Sequence, residues 1–190
     1  MRVISGQAKG RKLRAVRGDK TRPITDRVKQ SLFDILSHDV VGSHFLDLFA
    51  GTGSVGIEAL SRGAERAIFV ELSAAAVRVI RHNLETTQLA GRARIVRADV
   101  FAFLSRPRVD EAPFDFVYVA PPQYQGLWAD TLRALDAEDS PLMSAESLVM
   151  VQIHPKEYTP LPLANLALTD QRNYGSTLLC FYETLALASR

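Results

Sequence analysis

The chain has 190 residues, 47% hydrophobic and 23% charged, with 23 Lys and Arg against 21 Asp and Glu. That length suits one packed domain, and no stretch nears the roughly 18 uninterrupted apolar residues of a membrane helix. Residues 1–18 also lack the apolar core and small-residue cleavage site of a signal peptide. The one cysteine, Cys180, sits in the apolar run "TLLCFYETLAL" and has no intramolecular partner, so a buried thiol in a disulfide-free cytoplasmic protein is expected.

The net charge of +2 is unevenly spread. Residues 1–29 hold ten Lys and Arg against Asp19 and Asp26, whereas the remainder is acidic by six charges. A basic arm on an acidic body suits a polyanion, because phosphate contacts supply most non-specific nucleic-acid affinity. Lys9, Arg11, Lys12, Arg14, Arg22 and Arg27 are the candidate RNA contacts. Val3-Ile4 and Leu13-Ala15-Val16 flank "GQAKG" and read as a small β-hairpin over residues 1–22, ahead of a main domain over 23–190.

Within that domain, "DRVKQSLFDIL" sets Val28, Leu32, Ile35 and Leu36 on one helical stripe, with Asp26 as its cap. "HFLDLFA" reads as a buried strand, "SVGIEALSR" as a helix stopped at Gly63, and "RAIFVE" as a second strand. A helix capped by Ser73 follows, then strand "ARIVRAD", short helix "VFAFLSR", strand "FDFVYVAPP", helix "GLWADTLRAL" and strand "SLVMVQIH". The tail reads as two strands around Asn173-Tyr174-Gly175. Strands alternating with helices predict an α/β fold: a mainly parallel sheet covered on both faces.

"LDLFAGTGSVG" follows a strand and opens a helix. Gly51, Gly53 and Gly56 satisfy G-x-G-x-x-G, and Glu71 lies 20 positions after Gly51, at the next strand end. Such a turn binds the nucleotide part of a cofactor, and the acid accepts from ribose hydroxyls. NAD is one option. Asp47, on the strand leading into the turn, opposes a pyrophosphate but suits a ligand bearing an ammonium and a sulfonium. Asp99 closes the third strand and could accept from an adenine amino group. Three acids at successive strand ends fit S-adenosylmethionine better than NAD. Phe49, Ala50, Leu72 and Val100 complete the candidate lining.

Taken together, these motifs resemble the RsmD-type 16S rRNA guanine-N2 methyltransferases. The likeness rests on "MRVISGQAKGRKL", "TRPITDRVKQSLFDIL", "LDLFAGTGSVGIEALSRGA" and "RNYGSTLLCFYE", and covers nearly the whole chain. It implies a seven-stranded Rossmann-like sheet with an antiparallel last strand. It further implies methyl transfer from S-adenosylmethionine to the guanine conventionally numbered 966, within a partly assembled small-subunit particle. A monomer without metal is expected.

One motif departs from the family pattern, which reads Asp-Pro-Pro and then an aromatic after the fourth strand. Here Ala120-Pro121-Pro122-Gln123-Tyr124 stands instead. The acid is absent and the aromatic comes one position late. The candidate catalytic residues are thus Ala120, Pro121, Pro122 and Tyr124: backbone carbonyls to orient an exocyclic amine, and a ring to stack on a flipped base. A protein that binds cofactor and RNA but transfers slowly or not at all is the alternative. The four histidines have no metal-ligand spacing, and Trp128 shares a helical face with Leu132 and Leu135, as a core residue does. Arg172 and Tyr174 stand in the last turn, where they could reach cofactor or RNA.

Overall fold

The computed structural model describes residues 1–16, 24–106, 113–137 and 140–185. Arg22, with Arg17 and Lys20 of the basic arm, lies outside the described residues.

Among the described residues five α-helices and seven strands follow in the expected order: α1 (Asp26–Leu36), β1 (His44–Leu48), α2 (Ser54–Ser61), β2 (Arg66–Val70), α3 (Ala74–Thr87), β3 (Ala93–Val96), α4 (Val100–Leu104), β4 (Phe114–Val119), α5 (Leu127–Leu135), β5 (Met143–Ile153), β6 (Leu166–Tyr174) and β7 (Thr177–Thr184). The strands form one sheet of order β3-β2-β1-β4-β5-β7-β6. β1 to β5 are parallel, and β7 runs antiparallel to both β5 and β6. The expected seven-stranded sheet with its antiparallel last strand is thereby borne out.

Both faces of the sheet are covered. Phe45, Phe69, Phe116 and Met150 pack with α1, α2, α3 and the N-terminal arm. Leu46, Val70, Val117 and Val151 pack with α4 and α5. Burial on both faces explains why the central strands read as nearly continuous apolar runs. Trp128 is buried beside Leu132 and Leu135 and stacks on Tyr158, and Cys180 is buried, as expected of each.

Three sequence expectations change. α1 is capped by Thr25 rather than Asp26: Thr25 keeps an extended backbone and its Oγ1 accepts from the Val28 amide. Asp26, in the first turn, suits the positive helix end and pairs with Arg2 at 3.4 Å. β5 starts at Met143, four residues before the expected strand, and its register against β4 shifts between Met143 and Leu148.

The arm differs most. It folds back on itself as a hairpin, with one antiparallel bridge, Arg2 with Lys12, and backbone hydrogen bonds from Val3 to Arg11, Gly10 to Val3 and Leu13 to Met1, but without two full strands. Its amides turn to the helices: Ile4 and Ser5 donate to Glu58 of α2 at 2.8 and 2.9 Å, and Ala8 to Ser61. Val3, Ala8 and Leu13 join the main core, each burial contributing up to ~1.5–3 kcal/mol for the larger side chains. Lys29, counted with the basic arm, is fully buried instead; its Nζ donates to the Arg2 carbonyl at 2.7 Å and lies 3.5 Å from Glu58. Burial lowers its pKa, and Glu58 opposes that shift. Lys29 therefore holds the arm down and adds no charge to its surface.

Candidate functional site

The order β3-β2-β1-β4-β5 places the sheet's switch point between β1 and β4, where open α/β sheets bind ligands beyond their carboxyl ends. Leu48 pairs with Val119 there, so the glycine turn after β1 and the proline pair after β4 leave adjacent strands side by side. The Ala120 amide still reaches the Leu48 carbonyl, at 3.5 Å. This juxtaposition joins two motifs about 70 residues apart in the chain, Gly51 and Pro121.

The turn is tightly formed. Phe49, Gly51 and Gly53 all adopt positive φ (62°, 55° and 73°), a region that costs a bulky residue such as Phe49 free energy and costs glycine little. Hydrogen bonds hold it: Ala50 to the Val70 carbonyl, and Gly53 to the Ala50 carbonyl. Each glycine has its own reason. A Cβ on Gly56 would lie 2.5 Å from the Phe69 ring, so helix and strand could not close. A Cβ on Gly51 would meet only the Phe49 carbonyl, at 3.9 Å, so the space above that residue is open.

The acids occupy three distinct environments. Glu71 is half-buried at the end of β2; its Oε2 accepts from the Gly51 amide at 2.8 Å and its Oε1 from Ser73 at 2.7 Å. A carboxylate offers about four lone-pair sites, so capacity remains for two hydroxyl donors. Asp47 is only 2% exposed and lies under the turn, its Oδ2 accepting from the Gly56 amide at 3.0 Å. Burial pushes its pKa up to about 8, against the Gly56 hydrogen bond and with a push from Glu71. Asp99 is exposed and caps α4, its Oδ1 accepting from Phe101 and Ala102. Leu72 stands 63% exposed beside Glu71, an apolar side chain open for a ring to cover, whereas Val100 is buried against the sheet.

After β4, Pro121 is buried and Ala120 and Pro122 are half-buried. Tyr124 takes φ 60° and is 65% exposed. Its amide donates to Glu157 Oε2 at 2.6 Å, and its ring leans on His154 at 5.6 Å between centroids. His154 and Glu157 cap the short turn after β5, so this turn supports the loop carrying Tyr124. The pair escapes sequence reading, because nothing marks a histidine three before a glutamate as a prop for a loop 30 residues earlier.

A cleft of about 330 Å³ lies between the cap Thr25 with Arg27 and Val28 of α1 and Asn173, Tyr174 and Gly175 of the last hairpin. Tyr174 thus faces α1, while Arg172 pairs with Asp170 at 2.7 Å. Lys9, Arg11, Lys12, Arg14 and Arg27 are all exposed. The larger cavity, about 510 Å³, opens at the opposite edge among Asp39, Asp115, Glu146 and Glu183, a lining that repels phosphate.

The glycine turn has the features adenosylmethionine needs: open space over Gly51, spare acceptor capacity on Glu71, an apolar flank at Leu72, and the carboxyl group of Asp47 beneath. Together with the strand order, these features define an adenosylmethionine-dependent class I methyltransferase.

Comparisons with known proteins carry this further. The family model described as "Conserved hypothetical protein 95" matches residues 1–183, and the chain belongs to that family, the RsmD family. YlbH of Bacillus subtilis (strain 168) is 38% identical over 184 residues, 96% of this chain and 98% of its own. Ribosomal RNA small subunit methyltransferase D of Escherichia coli (strain K12) is 35% identical over 183 residues, 96% of this chain and 89% of its own. The solved structure of yhhF from Escherichia coli superposes with a TM-score of 0.85 at 34% identity, covering 98% of each chain. The resemblance expected from the motifs is borne out, and the NAD alternative falls away. Among the described residues no helix is long and apolar enough to cross a membrane.

Proposed function

We propose that the protein transfers a methyl group from S-adenosylmethionine to the exocyclic N2 of a guanine in 16S rRNA, guanine 966 by family likeness, within an assembling small-subunit particle. The observation that carries this reading is the adjacency of the glycine turn and the Ala120-Pro121-Pro122 corner at the switch point. The name of the Escherichia coli relative supports the rRNA class.

In this reading Glu71 accepts from the ribose hydroxyls, Leu72 flanks the adenine, and Asp99 accepts from its amino group through the oxygen its cap leaves free. Gly51 lets the backbone approach the ligand, and Gly53, close against Ile80 and Phe69, supplies the positive φ that aims the turn's amides at it. Asp47 braces the turn through Gly56 and, once ionised, which a cationic ligand favours, places negative potential below the cationic end. Bound adenosylmethionine supplies an electrophilic methyl group on a positively charged sulfur.

The protein's task is then alignment. The guanine N2 lone pair is delocalised into the ring, so the amine attacks only when acceptors polarise and direct it. The carbonyl oxygens of Ala120 and Pro121 take that role, held by the rigid proline pair. Tyr124, exposed and propped by His154, stacks on the flipped base. The exposed cations of the arm, with Arg27 beside the cleft, bind RNA phosphate, and residues 1–22 serve as the RNA-contacting unit of a monomer.

Ala120 favours a second reading, a protein that binds cofactor and RNA with slow or no transfer, since its methyl side chain accepts nothing. Incubating the protein with labelled adenosylmethionine and undermethylated small subunits, then mapping the label, decides between them. Label on a guanine N2 is the expected result; binding of both ligands without label establishes the second.

A further inference from the structure

The RNA-binding arm and the cofactor turn meet on one side chain. Asn83 lies in α3 on the stripe Ile80, Asn83, Leu84, Thr87, and is fully buried. Its Oδ1 accepts from the Arg14 amide at 2.8 Å. Its Nδ2 donates to the Arg14 carbonyl at 3.1 Å and to the Thr52 carbonyl at 3.0 Å. Thr52 stands between Gly51 and Gly53, and Arg14 is one of the exposed cations of the arm. An asparagine amide has two donor hydrogens, and both are used, one on each side. A second contact crosses the same seam: Thr52 Oγ1 lies 3.5 Å from Met1 Sδ.

The placement is costly by sequence rules. Asparagine is a poor interior helix residue because its amide competes with the backbone, and burying an amide is tolerated only when it is fully hydrogen-bonded. Leucine or alanine would continue the stripe at no such cost, yet they would leave the Arg14 amide and carbonyl and the Thr52 carbonyl without these partners. Nor can the amide serve one side independently. It is planar, so any rotation that follows the Thr52 carbonyl as the turn closes on a ligand shifts the oxygen and nitrogen that hold the Arg14 peptide. Order imposed on the turn is thereby passed to the arm, and order imposed on the arm returns to the turn.

We propose that Asn83 is a positioning residue that couples RNA binding on the arm to cofactor binding on the glycine turn, each strengthening the other. This rests on the reading that the turn holds adenosylmethionine and the arm holds RNA. Linkage requires the effect to be reciprocal, and couplings of this kind typically amount to about 5–150-fold in affinity.

The test uses the full chain, adenosylhomocysteine and undermethylated small subunits. Calorimetry gives the affinity for adenosylhomocysteine without particles and with saturating particles, in the parent and in Asn83→Ala. The expected result is a ratio of roughly fivefold or more in the parent and near one in the variant, which still binds each ligand alone. Amide exchange of the parent supplies a measurement that does not depend on the variant folding: adenosylhomocysteine alone should slow exchange at Arg14. A parent that binds adenosylhomocysteine with no change at Arg14 and a ratio of one overturns the coupling and leaves the cofactor assignment standing. A parent that does not bind adenosylhomocysteine overturns the cofactor assignment itself, and the coupling with it. A folded variant with the parent's ratio overturns the role of Asn83.

Discussion

The Gly51 amide donates to Glu71 Oε2 across 2.8 Å, tying the turn after β1 to the end of β2. One carboxylate thus shapes the ligand site and, in the proposed function, also accepts from the ligand. Glu71→Ala is expected to weaken adenosylhomocysteine binding by about 1.5–3 kcal/mol, the range for hydrogen bonds to a charged group. Glu71→Gln should recover part of the loss, since its carbonyl oxygen can still accept from Gly51. Calorimetry on folded variants reads both, and unchanged affinity in Glu71→Ala removes this residue from the site.

Asp47 predicts a pH dependence of stability. Its folded pKa is raised to about 8 from an ordinary value of 3.8, mainly by burial. Between those values the unfolded chain has released the proton and the folded chain keeps it, so stability falls as pH rises. Above about 8 both states are ionised and the penalty levels off. Asp47→Asn keeps an oxygen for the Gly56 amide and carries no charge. Its stability advantage over the parent should therefore grow from about pH 4 to about pH 8, as read from denaturant midpoints at several pH values. The same variant should bind adenosylmethionine less tightly above about pH 8, where Asp47 of the parent is ionised and the variant offers the cationic end no counter-charge.

The arm's cations can be tested without deleting it. Removing residues 1–16 would strip Val3, Ala8 and Leu13 from the core and expose Glu58, so truncation would confuse folding with binding. Lys9→Gln, Arg11→Gln and Lys12→Gln leave the buried positions intact. For every cation that neutralises a phosphate, its replacement should lower the slope of log affinity against log salt by about 0.7–0.9. A triple variant with the parent's salt slope on small-subunit particles would mean that RNA does not lie on this face.

The buried pair Lys29–Glu58 should matter for the arm's seat more than for its charge. Lys29→Ala leaves Glu58 with Arg62 at 2.9 Å but without its buried partner, and frees the Arg2 carbonyl. Breaking such a pair costs about 3–5 kcal/mol. The loss should appear in the denaturant midpoint, together with faster amide exchange at Ile4 and Ser5.

At the proline corner, Ala120→Asp should preserve the fold, since Ala120 is half-buried at the open end of β4. It should raise the methylation rate, because a charged acceptor polarises the amine better than a carbonyl alone. Tyr124→Ala should slow turnover through loss of base stacking, worth ~1–3 kcal/mol. Single-turnover transfer to undermethylated particles separates the outcomes. An active parent slowed by loss of Tyr124 is an enzyme with a rearranged site; a parent active only with Ala120→Asp is a binding protein of enzyme descent.

Much of this protein was legible in one dimension, because local rules act over short stretches. The apolar runs of β1, β2 and β4, the Ser73 cap and most of the α1 stripe (Val28, Leu32 and Leu36, though Phe33 and not the exposed Ile35 completes it) each depend on a few neighbouring residues, so the alternating α/β order follows from the chain directly. The glycine turn and Glu71, 20 positions on, were legible for the same reason. What tertiary structure decided is where polar groups end up once distant segments pack. Lys29 looks like one more cation of the arm and becomes a buried anchor, because α1 presses it against Glu58. The arm looks like a free hairpin and is instead a short one seated on the domain, because α2 and α3 offer its remaining amides carboxylate, hydroxyl and amide partners. Asp47 looks like an acid facing a ligand and is enclosed beneath the turn, which raises its pKa. Asn83 is an unremarked polar residue in a helix until packing sets Arg14 on one side of its amide and Thr52 on the other. Pattern determines which face of an element is buried; only packing determines which polar atom meets which across the seam, since that depends on ångström-scale distances between residues tens of positions apart.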